Sequence, residues 1–165
     1  MKNQKGFTLI ELLLVLAIIG IISAIAVPAL LGQRENAKNK ATAALADGLV
    51  AAVQTATDIC ENVDYLPAQR PVLDLQALPA GPNLTQVATV VLARADNVAA
   101  KNAFTGAPAF TAAGTAAANI GEVGFVSARD AGTGQVMGTV TYGMSVNGAA
   151  VVKTTPKKVE TTLAP

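Results

Sequence analysis

The chain offers few side chains that could do chemistry, and the most informative is Glu11. It stands a turn inside the apolar run from Phe7 to Leu31. A carboxylate there costs a few kcal/mol or more unless it is neutralised, hydrated or paired. Lys5 lies six residues away, off the i+3 and i+4 positions that would bring it alongside. Two readings follow: a cation on another chain, or a carboxylate that snorkels to the lipid headgroups. Elsewhere the inventory excludes more than it offers. Histidine is absent and Cys60 is the single cysteine, which rules out a His-based triad, a His/Cys zinc site and an intrachain disulfide. No Gly-rich phosphate loop, Gly-x-Ser-x-Gly elbow or metal-ligand cluster is present. Near the carboxyl terminus Glu122 and Asp130 are too few for calcium, which wants six or more oxygens. No catalytic residue, metal ligand or cofactor is assigned. Cys60 reads as a small buried hydrophobe, or as a thiol able to bridge two copies.

The element that positions Glu11 is a helix. From Phe7 to Leu31 it would extend about 37 Å, enough to cross a hydrocarbon core of about 30 Å with some tilt. Gly20 and Pro28 weaken it and suggest a kink or local melting, although both residues are common in membrane helices. Beyond Leu31, Ala37, Ala41, Leu45, Leu49, Ala52, Ala56, Ile59 and Val63 recur at steps of three or four, so an amphipathic second half is expected to about residue 62.

The rest of the chain has room for one head domain. With 165 residues, twelve basic against eleven acidic groups, a net charge of +1 and 4% aromatic residues, the core must be modest and aliphatic. The scattered charges give no reason to expect nucleic acid as a partner. Four prolines between Val63 and Asn83 (Pro67, Pro71, Pro79, Pro82) mark a connecting loop. Asn83-Leu84-Thr85 has an N-glycosylation pattern too short to carry weight. Thr85 to Ala100 leans towards helix, and Asn102 to Gly114 reads as loop. Gly121–Ala128, Gln135–Val146 and Ala149–Thr154 read as strands, the last two joined by an Asn147-Gly148 hairpin turn. Val136, Val140, Tyr142, Met144 and Val146 share one face of the middle strand. The tail from Thr155 to Pro165 has nothing to pack and is expected to be mobile. The fold class is α+β: a long amino-terminal helix, membrane-spanning in its first half and amphipathic in its second, packed on a small antiparallel sheet of about three strands.

Lys5-Gly6-Phe7-Thr8-Leu9-Ile10-Glu11-Leu12 followed by the apolar run resembles the class III signal and amino-terminal helix of type IV pilins and the related pseudopilins of type II secretion systems. The resemblance covers roughly the first 35 residues. It implies cleavage by prepilin peptidase between Gly6 and Phe7, removal of a leader of residues 1–6, and methylation of the new amino terminus at Phe7. It places at Glu11 the carboxylate that pairs with a neighbouring subunit's amine, and at Gly20 and Pro28 the stretch that melts in the filament. Further regions follow as a filament-core helix at 7–31, an amphipathic helix at 32–62, a head at 63–154 and a tail at 155–165. The implied function is that of a structural subunit, not an enzyme. Its partners would be identical subunits, the peptidase, an inner-membrane assembly platform and, before assembly, the lipid bilayer. The precursor would sit in a bacterial inner membrane with its leader on the cytoplasmic side, and the product in an extracellular pilus or at the cell surface, or in the periplasm if a pseudopilin; a minor pilin is a further alternative. The Asp64-Tyr65-Leu66-Pro67 stretch is weakly similar to a pseudopilin loop. The family's carboxyl-terminal disulfide loop cannot form with one cysteine. A remote alternative takes Ala24-Ile25-Ala26 as an ordinary secretory cleavage site, releasing a soluble exported domain that starts at Val27; a membrane-anchored or exported binding protein is the other remote reading.

Overall fold

The computed structural model describes residues 6–61, 78 and 82–165. Most of the leader, Lys5, the loop with Pro67, Pro71 and Pro79, and the Asp64-Tyr65-Leu66-Pro67 stretch lie outside the described residues. The chain divides into two compact units, Met1–Ala37 and Lys38–Pro165. Helix α1 (Leu9–Glu61) contributes to both.

In the first unit α1 is helical without a break through Gly20 and Pro28. Its large apolar side chains face outward on every side, with Ile10 75%, Ile25 74% and Leu30 59% exposed. α1 is the one helix among the described residues that is long and apolar enough to cross a membrane.

The second unit packs the later turns of α1 against a four-stranded antiparallel sheet and two short helices. Helix α2 (Leu84–Ala93) starts on an Asn83 capping box, in which Asn83 Oδ1 accepts from the Gln86 N–H at 2.8 Å and Gln86 Oε1 from the Asn83 N–H at 3.0 Å. α3 (Ala95–Ala99) follows at once. The strands are β1 (Val123–Arg129), β2 (Val136–Val146), β3 (Ala149–Thr154) and β4 (Val159–Thr161). β2 is central, with β1 on one side and both β3 and β4 on the other. Asn147 and Gly148 both adopt positive φ, 52° and 80°, as a two-residue type I′ turn requires. The core joins Leu49 and Val53 of α1, Leu84 and Val87 of α2, Phe125 of β1 and Val140 of β2, all within 2% of full burial. Two glycines in β2 are fixed by close approach. A Cβ at Gly138 would lie 2.5 Å from the Phe125 ring, and one at Gly143 1.9 Å from the Asn119 carbonyl oxygen.

Three expectations need correction. The tail is packed, because Val159 and Thr161 re-enter the sheet as β4, with Val159 fully buried. Between Thr141↔Thr154 and Gly138↔Val159 the outer strand advances five residues against three on β2. That two-residue excess, at Thr155 to Lys158, hides the strand from a reading by alternation, and Pro156 within it removes a ladder donor. The buried stripe of α1 is also rotated: Asn39, Thr42, Ala46, Leu49, Val50, Val53, Ala56 and Thr57 face inward, while Ala37 and Ala41 are exposed. The polar members are satisfied at their sites, with Thr42 and Thr57 donating to the carbonyls four residues back. Third, Met144 is only half-buried and Val146 is 46% exposed, whereas Gly143 and Ser145 are buried. The switch occurs where β1 ends. Past that point the backbone at Asn119 crosses Gly143, and the Asn39 amide closes on Ser145.

That last contact recurs. Asn39 Nδ2 donates to the Ser145 carbonyl at 2.7 Å and its Oδ1 accepts from the Ser145 N–H at 2.9 Å. Fifteen residues along α1, the Gln54 amide makes the same pair of bonds with Glu160, at 3.4 and 3.3 Å. Each amide stands in for one residue of a missing strand, binding α1 to the sheet in one register.

Candidate functional site

Gly6, Phe7 and Thr8 precede the helix in non-helical backbone, and all three are exposed. A Cβ built on Gly6 meets nothing within 4 Å, so nothing in this chain's own packing demands glycine there. The peptide bond between Gly6 and Phe7 is accessible.

Glu11 sits at the third helical position. Thr8 Oγ1 donates to Glu11 Oε2 at 3.3 Å, and the Thr8 N–H approaches the same oxygen at 3.5 Å. In return the Glu11 N–H donates to Thr8 Oγ1 at 3.3 Å. These long contacts have the pattern of a capping box, with Thr8 as the cap. A carboxylate in the first turn also meets the positive end of the helix dipole favourably. The signal for it lies in Thr8-Leu9-Ile10-Glu11, a Ser/Thr-x-x-Glu pattern just ahead of an apolar run, and a local cap is a third way to accommodate Glu11 beside a cation on another chain and snorkelling to the headgroups. Glu11 remains exposed. Local hydrogen bonds order the carboxylate and leave it open to a partner. Gly20 and Pro28 lie farther along α1 and do not converge with Glu11 on a pocket.

In the second unit Glu122 and Asp130 turn to their own loops, and Glu61 turns to the distant Thr161 and Thr162. The Asn119 side-chain amide donates to Glu122 at 2.7 Å and, with the N–H groups of Asn119 and Ala118, outweighs partial burial to hold that carboxyl below its ordinary value. The N–H groups of Thr133 and Gly132 and the Thr133 hydroxyl lower Asp130 in the same way. At Glu61 burial is the largest single influence and pushes the carboxyl up. The Thr161 hydroxyl, with the N–H groups of Thr162 and Leu163, outweighs it and leaves the group below its ordinary value. No group of three His, Cys, Asp or Glu side chains that could hold a metal ion occurs among the described residues. Cys60 is half-buried against the core. Both ends of the Asn83-Leu84-Thr85 pattern serve the fold, Asn83 as the α2 cap and Thr85 through its hydroxyl, 2.7 Å from that of Ser127. A cleft of about 360 Å³ beside α2 and α3 is walled by Leu92, Val98 and Phe110 and gathers no charged side chain.

The chemistry therefore concentrates at the amino terminus, where comparison with known proteins also finds its match. Residues 1–27 match the family described as the prokaryotic N-terminal methylation motif. Residues 1–27 carry a prepilin motif. Among similar proteins, a fimbrial protein of Moraxella nonliquefaciens is 51% identical over 55 residues, 33% of this chain and 36% of that one. A fimbrial protein of Pseudomonas aeruginosa is 50% identical over 58 residues, 35% of each chain. The type IV wide pilus major component PilA4 of Thermus thermophilus is 56% identical over 39 residues, 24% of this chain and 30% of that one. The chain thus spans about a third of the length of the curated relatives it matches. No solved structure matches it. Gly6, Phe7, Glu11 and Gly20 all fall within the matched prepilin motif, and Pro28 lies just past its end.

Proposed function

We propose that the chain is a structural subunit of a type IV pilus, made as a prepilin and polymerised through its apolar helix. The observation that carries this reading is the prepilin motif at residues 1–27 set on a helix whose apolar side chains are exposed on all sides. Lipid covers that surface before assembly, and neighbouring copies of the helix cover it afterwards. Prepilin peptidase cuts between Gly6 and Phe7 and methylates Phe7. The leader faces the cytoplasm, and an inner-membrane assembly platform extracts the subunit. Glu11, ordered by Thr8, pairs with the terminal amine of the neighbouring subunit, which removes the cost of a carboxylate in an apolar filament core. Gly20 and Pro28 mark the stretch that yields during packing. A repeated heterologous contact that does not close generates a helical filament. The names of the relatives, fimbrial protein and pilus major component, support a structural rather than an enzymatic role.

Electron microscopy of the sheared surface fraction tests the proposal. Wild-type cells should yield filaments containing this chain, and Glu11→Val should leave processing and membrane insertion intact while abolishing them. Wild-type filament yields from Glu11→Val would contradict the pairing role.

A further inference from the structure

Most edges of the sheet are closed by the chain itself. Along β1 the 109–114 segment pairs with Val123 and Phe125 at 2.8 to 2.9 Å. Past the end of β1 the Asn39 amide seals Ser145, and at β4 the Gln54 amide seals Glu160. The outer edge of β3 is different. From the two-residue turn and the register, Val146 pairs with Ala149 through both backbone bonds, so the backbone groups of Ala150, Val152 and Thr154 point away from β2. They meet no partner among the described residues. All six β3 residues are exposed, Val152 by 48%. An open apolar edge is a liability that proteins ordinarily guard, and among the described residues the outer edge of β3 is left open along its whole length, whereas β1 is covered at Val123 and Phe125.

We propose that the outer edge of β3 is the contact through which the head of one subunit docks on the outer face of α1 in the next copy of the chain. This rests on the filament reading above. Charge complementarity selects the occupant. From Ala41 to Glu61 α1 carries Asp47, Asp58 and Glu61 with no Lys or Arg, whereas the stretch from Ala149 to Lys158 carries three lysines and no acid. Asp47 already shares a cleft with Lys157 and Lys158 of its own chain. The described partner of Asp58 is the neutral Gln54 amide, so Asp58 is the acid that Lys153 of another copy would meet. On the same exposed face Thr55, and Ala51 where it borders that cleft, present small side chains to Val152. The two surfaces differ, so the contact is heterologous and repeats without closing.

Cysteine pairs in sheared filaments test this, in a Cys60→Ser background. Val152→Cys combined with Ala51→Cys, treated with a short bismaleimide, should give a ladder of covalent oligomers, and neither single variant should give more than traces of dimer. Lys153→Glu should lower filament yield roughly ten-fold, and Lys153→Glu with Asp58→Lys should restore it. Abundant filaments without a ladder would overturn the contact, as would dimers from Val152→Cys alone, which would reveal two-fold β3 pairing. Absence of filaments in wild-type cells would overturn the filament reading and this contact with it.

Discussion

Asn39→Ala isolates the interaction that registers α1 against the sheet. Asn39 is 5% exposed and makes two bonds to one residue, at 2.7 and 2.9 Å. Truncation leaves the Ser145 N–H and carbonyl in a buried position where β1 no longer reaches them. Each lost bond at this buried site costs about 1–3 kcal/mol, and water admitted by the missing side chain recovers part of that, so the expected loss is about 2–4 kcal/mol. For a head of this size that corresponds to a fall in Tm of roughly 10 °C. The assay is thermal unfolding of the full chain in detergent, followed by circular dichroism in the β region. Asn39→Asp keeps the acceptor for the Ser145 N–H but loses the donor, so it should fall between wild type and Asn39→Ala, and it should recover no ground at high pH. If Asn39→Ala unfolds within about 0.5 kcal/mol of wild type, the buried groups find other partners and the Asn39 amide does not stand in for a strand residue.

Other outcomes follow from the same geometry. Gly143→Val should destabilise the head by about 3 kcal/mol or more, since its Cβ would meet the Asn119 backbone, which cannot swing aside as a side chain can; near-native melting would count against that crossing. Folded-state carboxyls at Glu61 and Glu122 lie below their ordinary values. Their stabilising contribution is thus complete above the unfolded value near 4.5 and is lost as pH falls through the lower folded values. Glu122→Gln should flatten the acid limb of the stability profile, and an unchanged limb would contradict the assignment. Gly6→Val should block maturation although a Cβ there meets nothing in this chain, and normal maturation would move the cleavage site elsewhere.

What the sequence revealed depended on how local the determining interaction was. The long helix, the Asn147-Gly148 turn and the three longer strands follow from periodicity and turn chemistry, which act over a few residues. β4 did not, because a three-residue strand after a two-residue slip leaves no alternation to detect. The rotated face of α1 was hidden for a different reason. Asn39 points inward to meet Ser145, 106 residues away, and a polar residue read in isolation is assigned to solvent. At the candidate site the residues themselves were legible. Glu11 stands out by its cost in an apolar run, whereas its bond to the Thr8 hydroxyl is a weak local contact that neither a cation on another chain nor snorkelling to the headgroups implies.

Everything proposed for this chain depends on residues 1–27 directing its processing as a prepilin. Intact mass of the mature protein tests it most directly. The mature chain should lack residues 1–6 and carry one additional methyl group on Phe7. A mature chain beginning at Val27, or one that retains its first six residues, would contradict it.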